Sequence, residues 1–178
     1  MLEGIIRESI GKKGTKALRR DGYLIANIYG KGLENINAAF KMNEYVRAVR
    51  NKDTLAFAIK VDGKELSVVV QSYESQAVTG KLLHVDLMVA QPGVLTTYNI
   101  PIVTVGEAIG TKNKGLVHMA KSRVTVKAAV ENIPNSIEID ISTMDTGHSR
   151  LVRDLEAIDN VTFLDSDRVA LISIIKAK

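Results

Sequence analysis

A chain of 178 residues with 46% hydrophobic and 25% charged side chains has material for one large domain or two small ones. The lack of cysteine excludes disulfides and thiolate metal sites, no apolar run approaches the roughly 18 residues that span a bilayer, and the opening MLEGIIRESIG is too short and too charged for a secretory leader, which points to the cytoplasm. The net charge of +4 falls wholly in residues 1–92, with 14 Lys and Arg against 10 Asp and Glu, while residues 93–178 balance at 10 against 10; an anionic partner for the first half would explain that division.

Residues 2–10 read as a strand of mixed pattern. The stretch GKKGTKALRRDG follows from Gly11 to Gly22, with five basic residues and no acid between Lys12 and Arg20. A phosphate loop of the form G-x-x-x-x-G-K-[ST] needs glycine where Ile6 stands, and Lys13 occupies its Ser/Thr position, so that motif is excluded. The spacing instead predicts a short helix over Lys16 to Asp21, capped by Thr15 and ended by Gly22, with Lys12 and Lys13 in the loop before it. Lys16 would then stand over Arg19 and Arg20, a repulsion of about 0.2–0.5 kcal/mol per pair. Phosphates would relieve it, although plain solvated surface accounts for this element equally well.

Tyr23 to Tyr29 reads as a buried strand ending at the turn Gly30-Lys31-Gly32, and NINAAFKM as a second strand. NEYVRAVRNKD has helical spacing, with Asn43 as its cap and Tyr45, Val46 and Val49 on one face. In TLAFAIKVDGKELSVVVQS the alternation of Leu55, Phe57, Ile59 and Val61, the Asp62-Gly63 pair and the return from Leu66 to Val70 predict a tight hairpin. KLLHVDLMVA alternates again, with Leu83, Val85 and Leu87 on one side and His84 and Asp86 together on the other. That polar pair can be read as a catalytic or metal pair, as hydrogen-bonding groups for base edges or ribose hydroxyls, or as ordinary exposed polarity. Tyr29 is a core-rim residue or a partner contact.

Gln91-Pro92-Gly93 is the candidate boundary. Beyond it VLTTYNIPIVTVG, SRVTVKAAVENI, SIEIDIS and RVALISIIKA are short β-like segments, and STMDTGHSRLVRDLEAI holds one short helix or a turn-rich connection. The glycine-containing stretch Gly106 to Gly115 has no dinucleotide fingerprint, and Asp140, Asp145 and Asp154 lack metal-site spacing. There is no internal repeat. The whole reads as mainly β.

The ordered set of G-x-x-L-R (Gly14 to Arg19), IANIYGKG (Ile25 to Gly32), KLLHVDL (Lys81 to Leu87), NIPIVTVGEAIGTKNKG (Asn99 to Gly115), ENIPNSIEIDIS (Glu131 to Ser142) and RDLE (Arg153 to Glu156) resembles the bacterial large-subunit ribosomal protein family that binds 5S rRNA. That family includes the general stress protein Ctc, and the match is to its two-domain form. The resemblance implies an N-terminal β-barrel with two or three short helices over residues 1–92, docked on 5S rRNA, and an all-β C-terminal domain over 93–178 that leaves the main contact to the first. It carries RNA contacts onto Arg7, Lys13, Lys16, Arg19, Tyr29, Gln71, His84 and Asp86, with Lys12 and Arg20 of the same basic cluster as added phosphate contacts. It implies a structural protein with no catalytic residue, metal ligand or cofactor. Its partners would be 5S rRNA, the large ribosomal subunit and, through the C-terminal domain, neighbouring ribosomal proteins. No membrane partner is expected, and the protein would be a cytoplasmic monomer off the ribosome. The chain departs from the family pattern at Ile25, where proline is usual, at Ala17, where some members carry arginine, and at Gly115, where one glycine stands for two. Two rival readings are a protein-interaction module held on the ribosome by its second domain, and a hydrolase or metal enzyme centred on His84 and Asp86.

Overall fold

Strand alternation and two short helices build the first half of the chain in the computed structural model, which describes residues 2–8, 10–52 and 54–176. Ser9 of the expected first strand, Asp53 of the NEYVRAVRNKD segment and Ala177 of the last segment lie outside the described residues. The elements run β1 (Leu2–Ile6), α1 (Lys12–Arg20), β2 (Tyr23–Gly30), β3 (Leu33–Lys41), α2 (Met42–Arg50), β4 (Ala56–Val61), β5 (Lys64–Ser75) and β6 (Leu82–Val89). The strands form a closed barrel in the order β1-β3-β2-β6-β5-β4. Parallel pairing of β1 with β4 closes it, and β2 also pairs in parallel with β6. Every second residue points inward, so Leu24, Ala26 and Ile28 of β2 meet Phe57, Ile59 and Val61 of β4 and Val85 and Leu87 of β6 in one apolar core. The hairpin has the expected form. Asp62 and Gly63 both take positive φ, 52° and 74°, and Val61 pairs with Lys64 across the turn.

Both helices begin earlier than the sequence predicts. Helix α1 starts at Lys12 with Gly11 at its N-cap, so Lys12 and Lys13 are helical, while Gly22 at φ 84° follows its end as expected. Thr15 caps nothing: its hydroxyl donates back to the Gly11 carbonyl and accepts from Arg7 Nη2 at 2.6 Å. Helix α2 has Lys41 at its N-cap in place of Asn43. Its inward face is Met42, Tyr45, Ala48 and Val49, and Val46 is exposed.

Contacts divide the chain after Pro92. The second unit runs β7 (Thr96–Val105), α3 (Ile109–Lys112), β8 (Gly115–Met119), β9 (Arg123–Ala128), β10 (Ile137–Asp140), β11 (Ser149–Leu151), β12 (Thr162–Phe163) and β13 (Ala170–Lys176). It is β-rich, with a four-stranded sheet in the order β10-β7-β9-β12 and a three-stranded sheet in the order β11-β13-β8. Tyr98, Ile100, Val124, Val126 and Ile172 are among its fully buried side chains. The glycine-containing stretch Gly106 to Gly115 contains the one-turn helix α3 and leads into β8.

Candidate nucleic-acid interface

Helix α1 separates its residues by function. At about 100° per residue, Lys12, Lys16, Arg20 and Lys13 fall within roughly a third of the circumference. All four are exposed, while Gly14, Thr15, Ala17, Leu18 and Arg19 are half-buried. The helix carries no acid in its first turn, so Lys12 and Lys13 stand at its positive end without local compensation. Two side chains hold it in place. Arg7 reaches Thr15 from the residue after β1, and Arg19 donates from Nε at 3.2 Å and Nη2 at 2.9 Å to the carbonyl of Leu83 in β6. Arg19 therefore fixes the helix to the strand that carries His84, and the remaining basic residues are held out along its border.

The outer faces of β2, β6 and β5 lie side by side. With Ala26 and Ile28 inward, Asn27 and Tyr29 point outward; with Val85 and Leu87 inward, His84 and Asp86 do the same. Registry places Asn27 beside Asp86 and Tyr29 beside Met88. On the other flank β5 is bulged between Val70 and Ser72, and Ser72 stands opposite Asp86 and Glu74 opposite His84. Gln71 sits in that bulge, half-buried.

Asp86 is the hub of this face. It accepts a hydrogen bond from the Ser72 hydroxyl, and its other oxygen is 3.5 Å from His84 Nδ1. Burial, and then the charge of Asp86, push the Tyr29 hydroxyl above its ordinary 10, so it remains a donor at neutral pH. Asn27 Oδ1, in the middle of the face, is buried and has no hydrogen-bond partner among the described residues. The Ser72 hydroxyl bonds to the carboxylate and not to the imidazole, so the three side chains are not wired as a nucleophile activated by histidine.

The expected contact residues thus form two adjoining groups. Lys12, Lys13, Lys16 and Arg20 make an exposed cationic stripe, and Tyr29, Gln71, His84 and Asp86 lie on the strand face beside it. Arg7 and Arg19 are placed differently: each makes hydrogen bonds that hold α1. The sequence reading missed Asn27 and Ser72. Asn27 was recoverable from the alternation of β2, since it lies between inward Ala26 and Ile28. Ser72 was not, because only the bulge turns it outward. Together the groups offer cations for phosphates, with hydroxyl, imidazole, amide and carboxylate groups for base edges and ribose hydroxyls.

Residues 2–87 match the family model described as the Ribosomal L25p family, and residues 96–178 match the one described as Ribosomal protein TL5, C-terminal domain. Among curated proteins, the Large ribosomal subunit protein bL25 of Sulfurimonas denitrificans is 70% identical over the full length of both chains. Proteins of the same name from Nitratiruptor sp. and Campylobacter lari are 58% and 57% identical, again over all of both chains.

Proposed function

The chain belongs to the ribosomal L25p family, in the form that carries a TL5-type C-terminal domain, and we propose that it is a structural, non-enzymatic component of the large ribosomal subunit that binds 5S rRNA through residues 1–92. One observation carries the reading: a stripe of four exposed cations is tied, through Arg19 and the Leu83 carbonyl, to the edge of the polar face of Tyr29, His84 and Asp86. The cations grip phosphates and set the position. The strand face reads a wide, shallow RNA minor groove through hydroxyls and base edges. Asp86, which would repel phosphates, serves as an acceptor for guanine amino groups or ribose hydroxyls and fixes His84 beside it. Arg7 and Arg19 contribute by holding α1 at the correct height.

Filter binding of 5S rRNA by the full chain across a potassium chloride series tests this. Four phosphate contacts predict a slope of log affinity on log salt of about −3 to −4, from roughly 0.7–0.9 counterions released per phosphate neutralised. Binding that weakens in this way and exceeds binding to tRNA supports the proposal. Equal affinity for 5S rRNA, tRNA and a generic RNA duplex refutes it.

A further inference from the structure

The second unit holds a groove of about 690 Å³ lined by Ser136, Ile137, Glu138, Ile139 and Asp140, with Val105 at the end of β7, on one side and by Arg150, Leu151, Asp154, Leu155, Glu156 and Ile158 on the other. Five consecutive residues of the chain line one cavity. Since successive strand residues point to opposite faces, a cavity over a sheet face would touch every second one; touching all five places it along the open edge of β10, from which it reaches Val105 at the end of β7. The sheet orders agree, because β10 is paired with β7 on one side alone and β11 ends the other sheet, among the described residues. An open edge presents backbone N–H and C=O groups, which another extended backbone can satisfy.

The groove's charge narrows the partner. Among the lining residues Glu138, Asp140, Asp154 and Glu156 face one cation, Arg150, and Asp154 alone has a further cation beside it, Arg153 Nε at 3.7 Å. Asp140 stays ionised, its carboxyl held below the usual range by hydrogen bonds from Ser142 and then by Arg150. Phosphates are repelled from such a surface, and so is the same acidic edge of a second copy. A floor that includes Ile137, Ile139, Leu151 and Leu155 accepts apolar side chains. We propose that the groove between β10 and β11 takes an extended basic segment of a partner protein, added as a further strand on the β10 edge, with apolar residues inward and Lys or Arg against the carboxylates. This site is independent of the RNA face of residues 1–92, so either proposal can fail alone.

The test uses an acetylated, amidated octapeptide of alternating lysine and valine, titrated into the ¹⁵N-labelled full chain. Amide shifts concentrated at 136–140 and 150–156 are expected. Among the described residues the side chains of Glu138 and Glu156 make no hydrogen bond or ion pair, so the double variant Glu138→Lys/Glu156→Lys should stay folded and bind the peptide about tenfold more weakly. Glu107→Lys, which makes one of the same charge changes away from the groove, should bind like the parent. The double variant should also bind 5S rRNA as the parent does. The proposal is overturned if the shifts fall elsewhere or are absent, if a glutamate–valine octapeptide or a uridine octanucleotide produces the same shifts, or if charge reversal leaves peptide affinity unchanged.

Discussion

Arg19 differs from the other four cations of α1 in where its charge goes. Its guanidinium is half-buried and gives two donors to the Leu83 carbonyl, whereas Lys16 points into solvent. Arg19→Ala should therefore lose about 1–2 kcal/mol of stability in urea unfolding, the range for a charge-assisted bond whose acceptor is left unpaired. Lys16→Ala should stay within about 0.5 kcal/mol of the parent and lower the salt slope of 5S rRNA binding by about one. Equal urea midpoints for the two variants would remove the structural role assigned to Arg19. Tyr29 gives a pH signature on the same face. Its hydroxyl is raised above 10 by burial and by Asp86, so the folded state holds that proton more tightly than the unfolded chain. The stability this supplies is complete below about pH 10 and is lost as pH rises through the folded value. Tyr29→Phe lacks the proton, so its urea midpoint should fall less than the parent's between about pH 9 and pH 11. Parallel declines would show that the Tyr29 proton is not coupled to folding.

At the scale of elements, what the sequence made legible was local. The Asp62-Gly63 hairpin was readable because its turn chemistry and both flanking alternations lie within a few residues of one another. The start of α1 was not, because the fate of the Thr15 hydroxyl depends on Arg7, which follows β1 on the other side of the turn from the helix. Gly110 and Gly115 show the same limit more sharply. Nothing in their own neighbourhood marks them, yet they are required by close approach. A Cβ on Gly110 would lie 2.7 Å from the Thr146 backbone nitrogen, and one on Gly115 would lie 2.6 Å from the Gly110 carbonyl oxygen, each also 2.8 Å from Ile174. No local pattern brings residues 146 and 174 to that place. Backbone cannot yield as a flexible side chain can, so Gly110→Ala should cost about 1–3 kcal/mol through overpacking. Thermal or urea unfolding followed by amide signals of β8 and β13 measures it; an unshifted transition would mean that α3 is free to move away.

The division of the whole molecule into a cationic and a neutral part was legible from counting alone, and the ordered motifs pointed to the family. The two separate sheets of the second unit were not legible, because the parallel pairing of β10 with β7 joins strands more than thirty residues apart and no turn announces it. The charge division has a consequence for binding. Residues 93–178 carry as many acids as bases, and their groove at β10 is lined by four carboxylates, so they add no net attraction for RNA. All of the excess charge lies before Gly93. A chain ending at Pro92, with its barrel verified by circular dichroism, should therefore bind 5S rRNA with the salt slope of the full chain and an affinity within about threefold of it. A loss of more than about tenfold, with the barrel intact, would place RNA contacts in the second unit. An unchanged affinity with a shallower slope would instead mean that some of the phosphate contacts belong to cations of residues 93–178, with their loss balanced by relief of repulsion from the same unit's carboxylates.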